Sequence, residues 1–542
     1  MNTILGELGK SKKFVELIKN IEEKQSPIGI SGLSNVGMLE IIASINEYAK
    51  KPIAIITYNE IQAKWIIDNL QFFTDKVIYF PKKDIVTYDY IAESKDLPYA
   101  RIEALNKLIS KRNYIFVTTI EAVMQKLPAK ELLYKNILKF KVGEVHSLDK
   151  IKQDLVNLGY TRCDLIEGRG QFSLRGGILD ISINDAIGVR IEFWGDEIDS
   201  IRNFNIVSQR SINALEKVEI EPAHEYILEK PIEEICKNVR KTIANDLQED
   251  IIEQDIEQIK AGNYISKIDK YFDCFYDKQE TIIDYLNTNS IITFDEIRKV
   301  EQRAQNVIKD NDNLIKNLIE KGKVVPQAIS NIQPFSSIEK LVEESKKVIV
   351  YIEKQDNKID RHAQNYNFSY RAINYFKSEI ETLFTDIRKA QEQGKNIYVV
   401  VATKEKAKKL KEILEKENIM CKIEEKLDKT IIVKSQEKII TIAIGKLTEG
   451  FENYDINQVL IAADELIEGG KKKKTFAHQA YKEGEKVVFA DLKVGDYVVH
   501  KNYGIGIYIG VNTITADGTT KDSIKLKYQN DDILYVPTNQ LD

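Results

Sequence analysis

Two short stretches carry the residue types and spacing of nucleotide chemistry. The first, Gly32-Leu33-Ser34-Asn35-Val36-Gly37-Met38-Leu39, has the glycine spacing of a phosphate-binding loop and follows the apolar run Ile28-Ile30. Such a loop needs a lysine for the β- and γ-phosphates and a Ser or Thr hydroxyl for magnesium. Met38 and Leu39 hold those two places, so Gly32, Gly37, Met38 and Leu39 make either a degenerate loop or a plain strand-to-helix turn. The second stretch is Asp295-Glu296 after Ile291-Ile292-Thr293-Phe294. It has the form of a magnesium-binding acidic strand, and acidic residues in that place equally serve as helix caps. No catalytic residue, metal ligand or bound cofactor is expected from either. Cys163, Cys236, Cys274 and Cys421 are scattered, with no CxxC pair and no nearby histidine. That spacing argues against zinc and against a disulfide framework, and fits a reducing compartment.

A chain of 542 residues is too long for one core, and usual domain sizes suggest roughly three to five domains. With 43% hydrophobic and 30% charged residues the composition is that of a globular protein. The net charge of −5 gives no global basic field, so nucleic-acid contact would have to be local or supplied by other sequence. Met1-Asn2-Thr3 opens without a basic-then-apolar signal, and no apolar run approaches the roughly 20 residues a membrane span needs. The expectation is a cytoplasmic protein with no membrane contact.

The elements that must hold these stretches alternate apolar strands with amphipathic helices. Ile28-Ile30, Ile53-Thr57, Val77-Phe80 and Tyr114-Thr118 read as strands of an α/β domain. Gly159 to Asn205 reads instead as a β-rich domain inserted into it. From Val189 to Trp194 the residues alternate, which puts Val189, Ile191 and Phe193 on a core face and Arg190, Glu192 and Trp194 on the other. Tryptophan beside arginine on a polar face is a pairing enriched where proteins grip one another. The alternative is that a neighbouring segment covers Trp194 and that Arg190 pairs with the surroundings of Glu192. Parity does not carry from Arg175 to this strand, because Gly176-Gly177 permits a bulge or a turn.

From about Ser336, Lys/Glu-rich helices alternate with short strands at Val348-Ile352, Ile397-Val401, Ile431-Lys434 and Val459-Ala463, which predicts a second, smaller α/β domain. Gly469 to Lys474 then reads as a solvated basic linker, or as a contact to phosphate backbone. Beyond Gly484, short strands at Tyr497-His500, Ile505-Val511, Ser523-Tyr528 and Ile533-Val536 predict a small β-barrel.

Several motifs carry a family resemblance. They are Gly159-Tyr160, Glu167 to Phe172, Arg175 to Asp180, Arg190 to Trp194, Asp196 to Ser200 and Pro222-Ala223-His224; Tyr79-Phe80-Pro81, Thr87-Tyr88-Asp89 and Pro98-Tyr99-Ala100-Arg101; and Val494 to His500, Tyr503 to Gly506 and Leu534 to Pro537. Together they resemble the transcription-repair coupling factor (Mfd) family. The first group resembles the domain shared with UvrB, and the last resembles the RNA-polymerase-interacting domain shared with CarD-like regulators. The resemblance implies a multidomain α/β fold. Its parts are a degenerate UvrB-like helicase-type α/β domain (1–126 and 215–335) with an inserted UvrA-binding β-rich domain (127–214), a small α/β domain of unknown role (336–468), a basic linker (469–483) and a C-terminal β-barrel (484–542).

It further implies that Arg175, Arg190 and Trp194 contact UvrA. The barrel is expected to contact the RNA polymerase β subunit through the strand of Ile524 and Leu526. In the family, DNA is engaged mainly by an ATP-driven motor whose motifs this sequence lacks. The implied function is therefore an adaptor and not an enzyme. A UvrB-like ATPase and a CarD-like transcription regulator are the alternatives.

Overall fold

The computed structural model describes residues 3–83, 96–243, 246–261, 265–320, 332–354, 363–373, 380–424, 439–467, 495, 497–500, 504–516, 519–528 and 533–537. The Thr87-Tyr88-Asp89 motif, the strand expected at 431–434 and the basic linker lie outside the described residues.

The first domain is built on a seven-stranded sheet. In spatial order its strands are Gln364–Asn367, Ile28–Ser31, Val348–Ile352, Ile291–Asp295, Ile53–Thr57, Ile115–Thr119 and Val77–Phe80, all parallel. Ile28–Ser31, Ile53–Thr57, Ile115–Thr119 and Ile291–Asp295 are buried along their whole length, as continuous apolar runs must be when both faces of a parallel sheet are covered. The expected start of the small α/β domain at 336 is corrected here. Val348–Ile352 lies between Ile28–Ser31 and Ile291–Asp295 in the first sheet, and an apolar run alone does not say which sheet it joins. Between the inserted domain and the acidic strand, Ile232–Arg240, Asp246–Lys260 and Ile265–Phe275 form a helical cluster around Ile235, Val239, Ile256 and Phe275.

The inserted domain is a six-stranded, mostly antiparallel sheet. Its order is Ser211–Leu215, Glu197–Asn205, Ile187–Trp194, Ile178–Ser182, Gln171–Arg175 and Thr161–Arg162. Its inner face, with Phe172, Leu179, Ile181, Val189, Ile191 and Phe193, joins one core with Phe80, Phe116 and Phe294 of the first domain. The resemblance motifs hold this junction. Arg101 shares its single Nε–H between the two Glu225 carboxylate oxygens (3.0 Å each) and donates from Nη1 to the Pro81 carbonyl (2.7 Å) and Gln125 (3.0 Å), with its guanidinium 4.2 Å from the Phe80 ring centroid. A Cβ on Gly159, whose φ is +89°, would stand 2.0 Å from the His224 ring, so only glycine fits. Burial pushes that imidazole down to about 4, keeping it neutral.

The third domain has a second six-stranded sheet, ordered Tyr370–Ile373, Gly450–Asn453, Gln458–Ala462, Asn396–Val401, Ile440–Ile444 and Cys421–Glu424. Helices Ile380–Glu392 and Lys404–Lys416 cover one face. On the other, Tyr398, Val400, Ala443, Phe451 and Leu460 pack into the core around Ile28, Ile30 and Leu39. At the C-terminus, Tyr497–His500, Gly504–Ala516, Thr519–Lys527 and Ile533–Pro537 form an antiparallel sheet in chain order. Closure into a barrel is not seen among the described residues. The four expected strands are all present.

Candidate functional site

The inserted sheet places the three residues implicated in docking on one face. Gly176, at φ +61°, makes the paired glycines a two-residue hairpin turn, and Arg175 pairs with Ile178 across it. Register then carries the face from Arg175 through Ile178 and Asp180 to Arg190, since Asp180 lies opposite both Ser173 and Arg190. Alternation along Ile187–Trp194 is as the sequence implies: Val189, Ile191 and Phe193 are buried, and Trp194 is 85% exposed at the end of the strand. Among the described residues no neighbouring segment covers it.

The two arginines differ in role. Arg190 donates from Nε and Nη2 to the two oxygens of Asp180 (2.7 and 2.8 Å) and from Nη2 to Gln209 (3.1 Å), above the Phe204 ring at 4.5 Å. Its side chain is 18% exposed and that of Asp180 only 1%. The partner of Arg190 is therefore Asp180; Glu192 instead takes Ser200 and Arg202. Arg175 is 54% exposed, and its ion pair to Asp180 at 3.5 Å is the one seen among the described residues. The exposed Ile178 beside it, and Val145 bridged to the exposed Glu197 opposite Trp194, extend this face with apolar and charged side chains of both signs. Sequence reading missed Ile178, Val145 and the clamp on Asp180. Counting back two residues from Asp180 would have put Ile178 on this face, whereas Asp180 needed the cross-strand register.

The degenerate loop is filled by the chain itself. Gly32 has φ +72°, and a Cβ there would stand 2.0 Å from the Phe368 carbonyl; one on Gly37 would stand 2.4 Å from the Tyr370 ring. Both glycines are thus explained by close chain approach. Ser34 caps the helix Asn35–Ala49, its hydroxyl accepting from Gly37 N at 3.1 Å, while Met38 and Leu39 are buried in the core. Asp295 is fully buried, accepting from Thr57 (2.9 Å) and Gln62 (3.1 Å), with the Lys354 ammonium 3.5 Å away. Lys354 also pairs with Glu296 at 3.4 Å. Burial pushes the Glu296 carboxyl up, but the Lys299 hydrogen bond and the Lys354 charge outweigh it and hold it below the usual range. Among the described residues no cluster of His, Cys, Asp and Glu could hold a metal, and no helix is long and apolar enough to cross a membrane. The four cysteines are free.

In the C-terminal sheet, Leu526 lies opposite Tyr508 and Leu534, and all three are buried. The side chain of Ile524 lies outside the described residues. Their strand is paired on both sides, so it has no free backbone edge to offer; the sheet's outer strands are Tyr497–His500 and Ile533–Pro537.

Two family models match this chain: the UvrB interaction domain over residues 138–226 and the CarD-like/TRCF RID domain over 492–542. The first takes in the inserted six-stranded sheet, and the second takes in the C-terminal strands. A transcription-repair-coupling factor of Bacillus subtilis (strain 168) is 29% identical over 100% of this chain and 47% of its own length. Another, from Staphylococcus aureus (strain bovine RF122 / ET3-1), is 30% identical over 95% of this chain and 44% of its own. The chain spans about half the length of the curated relatives it matches. Along its whole length the chain is similar to transcription-repair-coupling factors, and within it two segments match the UvrB interaction domain and the CarD-like/TRCF RID domain.

Proposed function

We propose that the chain is a two-site adaptor that receives UvrA on the inserted sheet and RNA polymerase, through its β subunit, on the C-terminal domain, so as to bring excision repair to a stalled polymerase. The observation that carries it is Trp194, exposed on a face shared with Arg175. A solvent-facing tryptophan that shares a sheet face with a half-exposed arginine is what an interface hot spot requires. Tying two sites to one scaffold raises local encounter without new chemistry. Retention of purified UvrA by the immobilised chain tests the first site; absence of retention overturns it.

The chain needs no nucleotide for this. Translocation on DNA, in this reading, belongs to the rest of a longer coupling factor acting in the cytoplasm. Titration calorimetry with ATP and magnesium is expected to give no heat in the micromolar range, because Met38 and Leu39 offer no group to phosphate or metal and Phe368 occupies the approach to Gly32. Micromolar binding would restore the UvrB-like ATPase reading.

For polymerase, Ile524→Arg is expected to weaken retention of the β subunit about tenfold or more, since an unpaired charge at a dry interface is costly. Its melting temperature, measured alongside, separates loss of the contact from loss of the fold, because Ile524 shares a strand face with the buried Leu526. Leu526, buried against Tyr508 and Leu534, serves as the fold control: Leu526→Ala should lower stability by about 2 kcal/mol or more. Unchanged binding of Ile524→Arg would move the contact to the outer strands Tyr497–His500 or Ile533–Pro537.

A further inference from the structure

The loop that would cradle phosphates is engaged at both ends by later parts of the chain. Strand Gln364–Asn367 pairs with Ile28–Ser31, and the pairing continues past the strand end: Phe368 N donates to the Ser31 carbonyl at 2.9 Å and Tyr370 N to the Gly32 carbonyl at 3.0 Å. At the first turn of helix Asn35–Ala49, the Glu449 carboxylate accepts from Val36 N at 3.3 Å and from the Asn35 side-chain amide at 3.4 Å. One turn further, the Tyr370 hydroxyl donates to Glu40 at 2.6 Å. Glu40 is fully buried against Asn453 and Gln458, and burial pushes its carboxyl up to about 8. A neutral carboxyl suits that place, because its O–H can donate where a carboxylate could only accept. Beside the loop, Asn69 accepts from Thr448 N at 2.8 Å, and Trp65 Nε1 donates to the Thr448 hydroxyl at 3.0 Å.

We propose that the vestigial nucleotide site is an intramolecular dock, in which the Gly32 loop and the first two turns of its helix receive the third domain through Glu449 and Tyr370. The amide end of a helix attracts an anion whatever its source. A carboxylate tethered to the same chain supplies it at high effective concentration. On the acidic strand, the Lys354 ammonium stands as counter-charge to Asp295 and Glu296. Both halves of the former site are therefore answered by side chains of the protein, and the third domain moves with the first as one body. This contact adds to the shared apolar core in setting the small domain's position next to the UvrB-like module.

Hydrogen–deuterium exchange on the full chain tests the dock. Tyr370→Phe keeps the ring against Phe451, whose centroid is 5.3 Å away, and removes only the hydroxyl. It is expected to speed exchange about tenfold both in residues 36–40 and in strand Gly450–Asn453, leaving Ile187–Trp194 unchanged. Glu449→Ala removes a longer, partly exposed contact and should speed the same two segments about threefold. Matched acceleration at both segments supports the dock. Wild-type rates at both, or acceleration confined to one, would overturn it.

Discussion

Arg190→Ala is expected to destabilise the inserted domain by about 3 kcal/mol, because the change strands a buried carboxylate. Asp180 is 1% exposed and takes both of its close hydrogen bonds from Arg190, at 2.7 and 2.8 Å. The loss falls at the low end of the range for broken buried pairs, since Arg175 remains within 3.5 Å of the same carboxylate. Arg190→Lys keeps the charge but cannot make the two-pronged contact, and should recover only part of the stability. Changing both partners, Arg190→Gln with Asp180→Asn, should cost less than Arg190→Ala alone, because no buried charge is left unpaired. Chemical denaturation of the three variants measures this. UvrA binding by Arg190→Ala will fall through loss of the sheet beneath the docking face, so Arg190 acts there as a positioning residue.

Trp194→Ala is expected to do the reverse. With the side chain 85% exposed, truncation should move the stability by less than about 0.5 kcal/mol. UvrA affinity should drop by about 2 kcal/mol or more, close to thirtyfold, since aromatic anchors dominate interfaces of ordinary size. Arg175→Ala should weaken UvrA binding in the same direction without unfolding, because more than half of its side chain faces solvent. Polymerase binding, being on another domain, should be unchanged in both. The pair of measurements separates docking from folding at each position.

Much of this was legible in the sequence because the informative patterns are local. Alternation from Val189 to Trp194 gave the two faces of the strand correctly, and the resemblance motifs fell where the sheet and its junction are built. What alternation could not supply was register. Asp180 meets Arg190 only because Ile178–Ser182 pairs with Ile187–Trp194 in one particular alignment, and nothing in either segment alone sets it. The same limit misplaced Val348–Ile352, a short apolar run that suits any buried strand. The glycines of the phosphate-like loop illustrate a different limit. Their spacing was that of a phosphate-binding loop and left a degenerate loop or a plain turn as readings, while the groups that require them, Phe368 and Tyr370, lie more than 300 residues away in the chain. Ile524 and Leu526 were expected on the strand that contacts polymerase, but a strand's neighbours are not set by its own residues, and Thr519–Lys527 is interior, between Gly504–Ala516 and Ile533–Pro537.

The central claim is that one chain offers two independent docking sites, and sequential loading tests it most directly. The immobilised chain is saturated with RNA polymerase β subunit, UvrA is added, and both are quantified on wild type and on Trp194→Ala. The adaptor reading predicts that wild type retains both together and that Trp194→Ala retains β alone, with an unchanged melting temperature. Equal retention of UvrA by a folded Trp194→Ala chain, or displacement of one partner by the other on wild type, would contradict it.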